Sequence, residues 1–455
     1  MRRRLVLPLI MLLSACVPAS QSSQPSRLAG PDIELPPMKT FAAPVSAPRA
    51  PDANPDLIRD FMQLSFQMES GRILTTFTRF EGPVTVRVTG DAPPTLRSDL
   101  RQLIARLQQE ADVPISLTTE SDASITVQAV TRRAIRNVLP QAACFVAPNV
   151  TSLREYRSAR RTERTNWAQL RVREKLAVFI PSDSSPQEVR DCLHEELAQA
   201  LGPLNDLYRL PDSVFNDDNV HTVLTGFDML MLRATYAPEL RSGMTQQEVA
   251  DRLPGIFRRI NPSGNRAGTG RASQTPQEWR DAIQTALGPG AGLRERQGAA
   301  DQALRIAVRQ GWTDNRRAFS HYARARLLQA SDGVAARQQY AEADRFYARS
   351  PRTQLHRAYV ATQLAAYALS ERNPARARAL VAPHTDAARA SQNASLLATL
   401  ELLRAEALLQ EGRVEEARAV RLDSLGWARY GFGADWVVRA KLREIAALTR
   451  DNGPA

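Results

Sequence analysis

Apolar positions recur along this chain with two periods, and their alternation marks out the first folded region. "NPDLIRDFMQLSFQME" (54–69) places Leu57, Ile58, Phe61, Met62 and Leu64 at helical spacing. "PVTVRVTG" (83–90) alternates valine with polar residues and predicts a half-buried strand. "TLRSDLRQLIARLQQEADV" (95–113) returns to the helical period, with Leu96, Leu100, Leu103, Ile104 and Leu107 on one face. "PISLTTESDASITVQAV" then reads as two strand-like runs around a turn, and "WAQLRVREKLAVFIPSD" (167–183) as strand-like at its end. "SSPQEVRDCLHEELAQALG" predicts a long helix with serine as cap, Pro186 in the first turn and Gly202 at the end. Helices and strands in this order predict an α+β domain over 55–256.

Beyond it the strand period disappears. A segment over 257–295, loop-like at "RRINPSGNRAGTGRASQTP" (258–276), joins a helical region over 296–450 that is rich in alanine and arginine. Turns at Asp332, Asn373 and Gly412 each precede a helix with small residues, about forty residues apart. Helix pairs of this kind resemble degenerate tetratricopeptide repeats, although the usual period is about 34. A plain helical bundle is the alternative. Either arrangement is a surface for packing or binding and carries no catalytic pattern.

The N-terminus sets an expected compartment. "MRRRLVLPLIMLLSAC" has three arginines and an apolar run too short to span a bilayer, closing on Leu13-Ser14-Ala15-Cys16. This resembles the bacterial lipobox, which implies cleavage of a signal peptide over 1–16 and diacylglyceryl attachment to Cys16. An ordinary secretory signal is the alternative. Residues 17–54, rich in Pro, Ser and Ala, predict a disordered tether. The expected location is the cell envelope, facing the periplasm. Val17 follows the lipidated cysteine, which favours the outer membrane over the inner.

Composition adds little about partners. The chain of 455 residues is 43% hydrophobic and 24% charged, with a formal charge of +12. Lysine occurs only at Lys39, Lys175 and Lys441, so the basic excess is a general preference for arginine. Its basic runs are short and interrupted, as in "RSARRTER" (157–164), which argues for solvated loops and against nucleic acid. Apart from Cys16, the cysteines are Cys144 and Cys192, and an oxidising compartment favours a disulfide between them over two buried thiols.

One stretch carries candidate chemistry. "HEELAQALGPLND" (194–206) begins like the zincin helix H-E-x-x-H, in which two imidazoles four residues apart share a zinc and the glutamate acts as base. Set from Glu195, it resembles the longer metzincin pattern. Gly202 then holds the turn position, Glu196 the general-base position, and Glu195, Gln199 and Asn205 the ligand positions. Downstream, "DSVFNDDNVHTVLTGFDMLMLRATYAPEL" (212–240) resembles the metzincin tail, with Phe215 where a methionine would underlie the metal. Together the segments also resemble a proteobacterial family of lipoproteins of unknown function, recognised by "HEExxQxLGxxND" and "SxF". The resemblance implies a zincin-like fold over roughly 55–250.

The replaced ligands imply a lost activity. Zinc selects nitrogen and sulfur donors, and none of the three positions offers one. Glu195 and Gln199, with Asn205 or Asp206, would suit at most a weakly held harder cation, so no cofactor is expected. His194, on the flank of the apolar stripe, is expected to be structural, and His221 is only a distant candidate. The expectation is therefore a lipid-anchored scaffold or adaptor. Its α+β zincin-like N-terminal domain would be non-catalytic, and its all-α, tetratricopeptide-like C-terminal domain would bind an envelope protein. The alternatives are a periplasmic hydrolase with Glu196 as general base and a binder of envelope polymers through arginine.

Overall fold

The computed structural model describes residues 34–41, 52–268 and 274–449. Cys16 and the whole signal segment lie outside the described residues, as does most of the tether.

Five strands form one sheet: β1 (Val84–Gly90), β2 (Ile115–Leu117), β3 (Ile125–Val130), β4 (Phe145–Pro148) and β5 (Leu176–Pro181), in the order β2-β1-β3-β5-β4. All neighbours are parallel except β4, which runs antiparallel to β5 along one edge. The expected α+β layout thus becomes an α/β one with a mixed sheet, because helices fill the connections between parallel strands. The runs around 115–130 do not form a hairpin, since β1 lies between β2 and β3. β5 reads "LAVFIP" and is buried on both faces, as a strand covered on two sides must be. Leu176, Val178 and Ile180 join the main core, whereas Ala177 and Phe179 join a smaller one with Ile135, Phe145 and Val150.

The main core is closed by helices whose apolar stripes match their sequence period. These are α1 (Asn54–Phe66), α2 (Leu96–Ala111) and, beyond the short α3 (Arg132–Arg136) and α4 (Leu153–Ala159), the long α5 (Pro186–Leu201). α5 begins as its sequence suggests, with Ser185 Oγ accepting from Glu188 N at 3.2 Å and Pro186 in the first turn. It ends at Gly202, and α6 (Gly226–Thr235) and α7 (Gln246–Ile260) complete this half. Both of the latter start with reciprocal capping boxes, Thr225 with Asp228 and Thr245 with Glu248.

The rest is helical: α8 (Gln277–Leu287), α9 (Leu293–Arg309), α10 (Asn315–Leu328), α11 (Gly333–Tyr347), α12 (Gln354–Ser370), α13 (Pro374–Val381), α14 (Thr385–Ala390), α15 (Ala394–Gln410), α16 (Val414–Phe432) and α17 (Asp435–Ala447). The three turns legible in the sequence separate successive helices. Asp332 and Asn373 cap α11 and α13, accepting from Ala335 N at 2.9 Å and Arg376 N at 3.1 Å. Gly412, at φ +75°, supplies the left-handed turn between α15 and α16.

Several contacts join the helical half to the α/β half, among them Tyr430 Oη donating to Asp99 Oδ2 at 3.0 Å. At the start of α5, Gln187 bonds Asn393 and Ser395, both at 3.1 Å, and Arg190 bonds Gln392. At the loop after α5, Asn315 Nδ2 donates to Tyr208 O at 2.6 Å. The expected free tether is also partly bound. Lys39 N donates to Gly426 O at 3.0 Å, and Phe41 stacks on Trp427 at 4.6 Å while Arg190 lies 4.9 Å above the Phe41 ring. A proline-rich segment has little backbone freedom to lose, and one aromatic anchor is enough to hold this stretch against α16. No helix among the described residues is long and apolar enough to cross a membrane.

Candidate functional site

The second half of α5 and the chain that follows it build the site. Glu195 and Gln199 are four residues apart and share one helix face, and Glu196 is next to them on the side of β4. Gln199 and Glu196 are buried, whereas Glu195 is half-buried. The wall beside Glu196 is β4, whose Val146 backbone bonds its carboxyl.

A disulfide fastens that wall to the helix. Cys144, at the foot of β4, is bonded to Cys192, one turn before Glu196, with the Cα atoms 5.9 Å apart. This is the pairing that the envelope reading favoured.

The end of α5 is held by Arg173, a residue that sequence reasoning does not single out. Arg173 is buried, and its guanidinium donates to Gln199 O at 2.6 Å, Ala200 O at 2.8 Å and Gly202 O at 2.5 Å. A cation set against orphan carbonyls is favourable there because the helix C-terminus carries partial negative charge. Burial lowers the Arg173 pKa to about 10, which still leaves it charged at neutral pH. Tyr236, the closing tyrosine of the metzincin-like tail, donates to Leu201 O at 3.2 Å.

After Gly202 the chain turns back along α1. Leu204 N donates to Leu64 O at 2.9 Å and Asn205 Nδ2 to Gln63 O at 3.1 Å. The Asn205 amide is thus committed to α1, while its Oδ1 is buried without a partner. The loop is tied to the Ser213-Val214-Phe215 turn by Leu207 N donating to Phe215 O at 2.9 Å. Phe215 is fully buried in the same core as Leu193 and Leu197. Beneath the turn, Asp228 accepts from Ser213 Oγ at 2.5 Å, Val214 N at 3.1 Å and Thr225 N at 2.8 Å. Its complete burial still dominates and raises its pKa to about 7.

The histidines are occupied elsewhere. His194 Nδ1 accepts from Leu224 N at 3.2 Å, and burial, with Arg106 and Arg190 nearby, keeps the ring neutral. The His221 ring bonds Pro211 O at 2.9 Å.

What converges instead is carboxylate. Burial, then Glu69 and Asp217, push Glu195 up to about 8. Glu196 is raised by burial, then by Glu195 and Glu69. Asp206 is raised by burial, then by Glu69, Glu195 and Asp217. One oxygen of Glu196 and one of Asp206 are buried with no hydrogen-bond partner. Glu69 and Asp217 escape sequence reasoning because each lies in a loop, remote from the helix in the chain. Asp217 is pushed to about 6 by burial, opposed by the Tyr208 hydroxyl at 2.8 Å.

These donors do not fit zinc. The three positions offer a carboxyl and two amide oxygens, none of them a nitrogen or sulfur donor, while Cys192 is oxidised. Among the described residues no three acidic, histidine or cysteine side chains are arranged to hold a metal ion. As built, the arrangement is a group of protonatable carboxyls that extends from α5 to the loops carrying Glu69, Asp206 and Asp217.

No curated protein and no solved structure matches the chain. Residues 54–255, the region that contains the sheet, α5 and these carboxyls, match the family described as a protein of unknown function, DUF2927.

Proposed function

We propose that this protein is a lipid-anchored envelope scaffold in which a zincin-like domain has given up its metal and a tetratricopeptide-like region binds a partner protein. The carrying observation is the state of the former ligand positions. Glu195 and Gln199 share a face without an imidazole, Asn205 offers only an amide oxygen, and His194 Nδ1 accepts from Leu224 N. The resemblance of "HEELAQALGPLND" to a zincin helix, together with this change of donor chemistry, supports the reading. The anchor is attributed to Cys16 on the strength of "LSAC". Repeated helix pairs with capped turns at Asp332 and Asn373 support the binding role of the tail.

The rival, a hydrolase with Glu196 as base, is favoured by one observation, the unpartnered buried oxygen of that carboxyl. It meets a physical difficulty. A general base must be ionised, and burial, then Glu195 and Glu69, raise the Glu196 carboxyl and so oppose its ionisation. The experiment is incubation of the purified chain, and of Glu196→Gln, with a mixed-sequence quenched peptide library and with peptidoglycan fragments. The proposal expects no turnover by either. Turnover that disappears in Glu196→Gln would overturn it.

A further inference from the structure

A cavity of about 410 Å³ lies where the loop after α5 meets the helical half. Its volume is in the range of small-ligand sites. One side is the 217–220 loop, and the others come from α8, α10, α11 and α12, with Gln141 at the rim. Tyrosine dominates the walls. Tyr208 is edge-on to Trp279 at 4.9 Å, Phe319 and Tyr322 are nearly coplanar with centroids 6.3 Å apart, and Tyr347 and Tyr359 complete the enclosure.

The polar groups are unevenly used. Asp218 is saturated, accepting from Asn216 Nδ2 at 2.7 Å, Val220 N at 3.1 Å and His356 Nε2 at 2.9 Å. Asp217 accepts from the Tyr208 hydroxyl through Oδ2, and no donor among the described residues reaches its other oxygen. Asp217 also stands at the join between the cavity and the buried carboxyls. It acts electrostatically on Glu195 and Asp206, and Asp206 keeps a buried oxygen without a partner. Because Glu195 is pushed up to about 8 and burial also raises Asp206, the carboxylate charge facing the cavity comes from Asp217. Two cations lie near. Arg280 is tied to the Glu69 carbonyl and the Gln277 side chain, and Arg326 lines the cavity from an exposed position on α10.

We propose that this cavity binds an organic cation, an ammonium or guanidinium group on an extended stem such as a basic peptide side chain, with Asp217 as its counter-ion and the tyrosine rings as its walls. Tyrosine faces attract a cation through their ring quadrupole, and the Asp217 oxygen that Tyr208 does not reach supplies the charge pairing. A free anion is disfavoured by the Asp217 carboxylate, and a neutral sugar would leave Asp217 without a counter-ion. The cavity would take such a ligand whether or not α5 descends from a zinc-binding helix.

The test is calorimetric titration of the full chain with N-acetyl-arginine amide, N-acetyl-lysine amide and a neutral N-acetylglucosamine oligomer. The expected result is a Kd of about 1 mM or tighter for at least one of the cations. Asp217→Asn, which keeps the shape and the Tyr208 contact, should weaken it about tenfold. Arg326→Glu, at an exposed position, should tighten it, a change that misfolding does not imitate. Silence from both cations, binding of the sugar alone, or a cation affinity indifferent to both substitutions would overturn the proposal.

Discussion

Reduction of the Cys144–Cys192 bond would remove the strap between the edge strand and the site helix. The bond closes a loop of 48 residues. Chain-entropy arithmetic assigns such a loop about 4 kcal/mol, through the freedom it removes from the unfolded chain. The native surroundings add to the expectation, because Cys192 is buried in the main core while β4 is held to the sheet only by β5. A Cys144→Ser/Cys192→Ser double variant avoids reducing agents and leaves no lone thiol. Urea unfolding followed by far-ultraviolet circular dichroism should show its midpoint displaced downwards, with a stability loss of about 2 to 5 kcal/mol. Hydrogen exchange should localise the change to 144–148 and the middle of α5. Non-reducing mass spectrometry of the wild-type chain should yield the linked peptides. An unchanged midpoint, or two free thiols in oxidised wild-type protein, would refute the reasoning.

Other outcomes follow from the same contacts. Arg173→Met should cost on the order of 3 kcal/mol in urea unfolding, since three carbonyls at the end of α5 lose their buried donor. Asp228→Ala should cost a comparable amount, about 3 kcal/mol, because it strips the Ser213–Phe215 turn of two bonds and the start of α6 of a third. The fold raises Glu195 and Asp228 to about 8 and 7, so their contribution to stability should fall as pH rises from the ordinary carboxyl range through those values. His194 and His221, whose pKa values burial lowers, contribute in the opposite sense below the ordinary imidazole value. Melting temperature measured against pH checks the sign, and Asp206→Asn should flatten the fall. Cys16→Ser should move the protein from the membrane fraction to the soluble one on cell fractionation.

The parts of the fold legible in the sequence are those specified by neighbours in the chain. α2 follows from its leucine spacing, α5 from Ser185, Pro186 and Gly202, and the helical turns from Asp332, Asn373 and Gly412. β4 was not legible. Its four residues end in Pro148 and are too few to establish a period, so its identity as a strand comes from pairing with β5. Arg173 lies in "RVREK", where its composition matches any solvated loop, and only the end of α5 arriving beside it gives it a role. The candidate site divides in the same way. Glu195, Glu196 and Gln199 belong to one helix and were readable together. Glu69 and Asp217 join them only through tertiary folding, and with them comes the conversion of a presumed cation site into a set of mutually raised carboxyls.

The central claim is that α5 keeps the form of a zinc helix without the means to hold zinc. Elemental analysis of the full chain, purified from cells grown with ample zinc and dialysed without chelator, tests it most directly. Carboxyl and amide donors in place of imidazoles predict well under one zinc per chain, and no change in that content in Glu195→Gln. One zinc per chain, retained through dialysis and lost in Glu195→Gln, would contradict it.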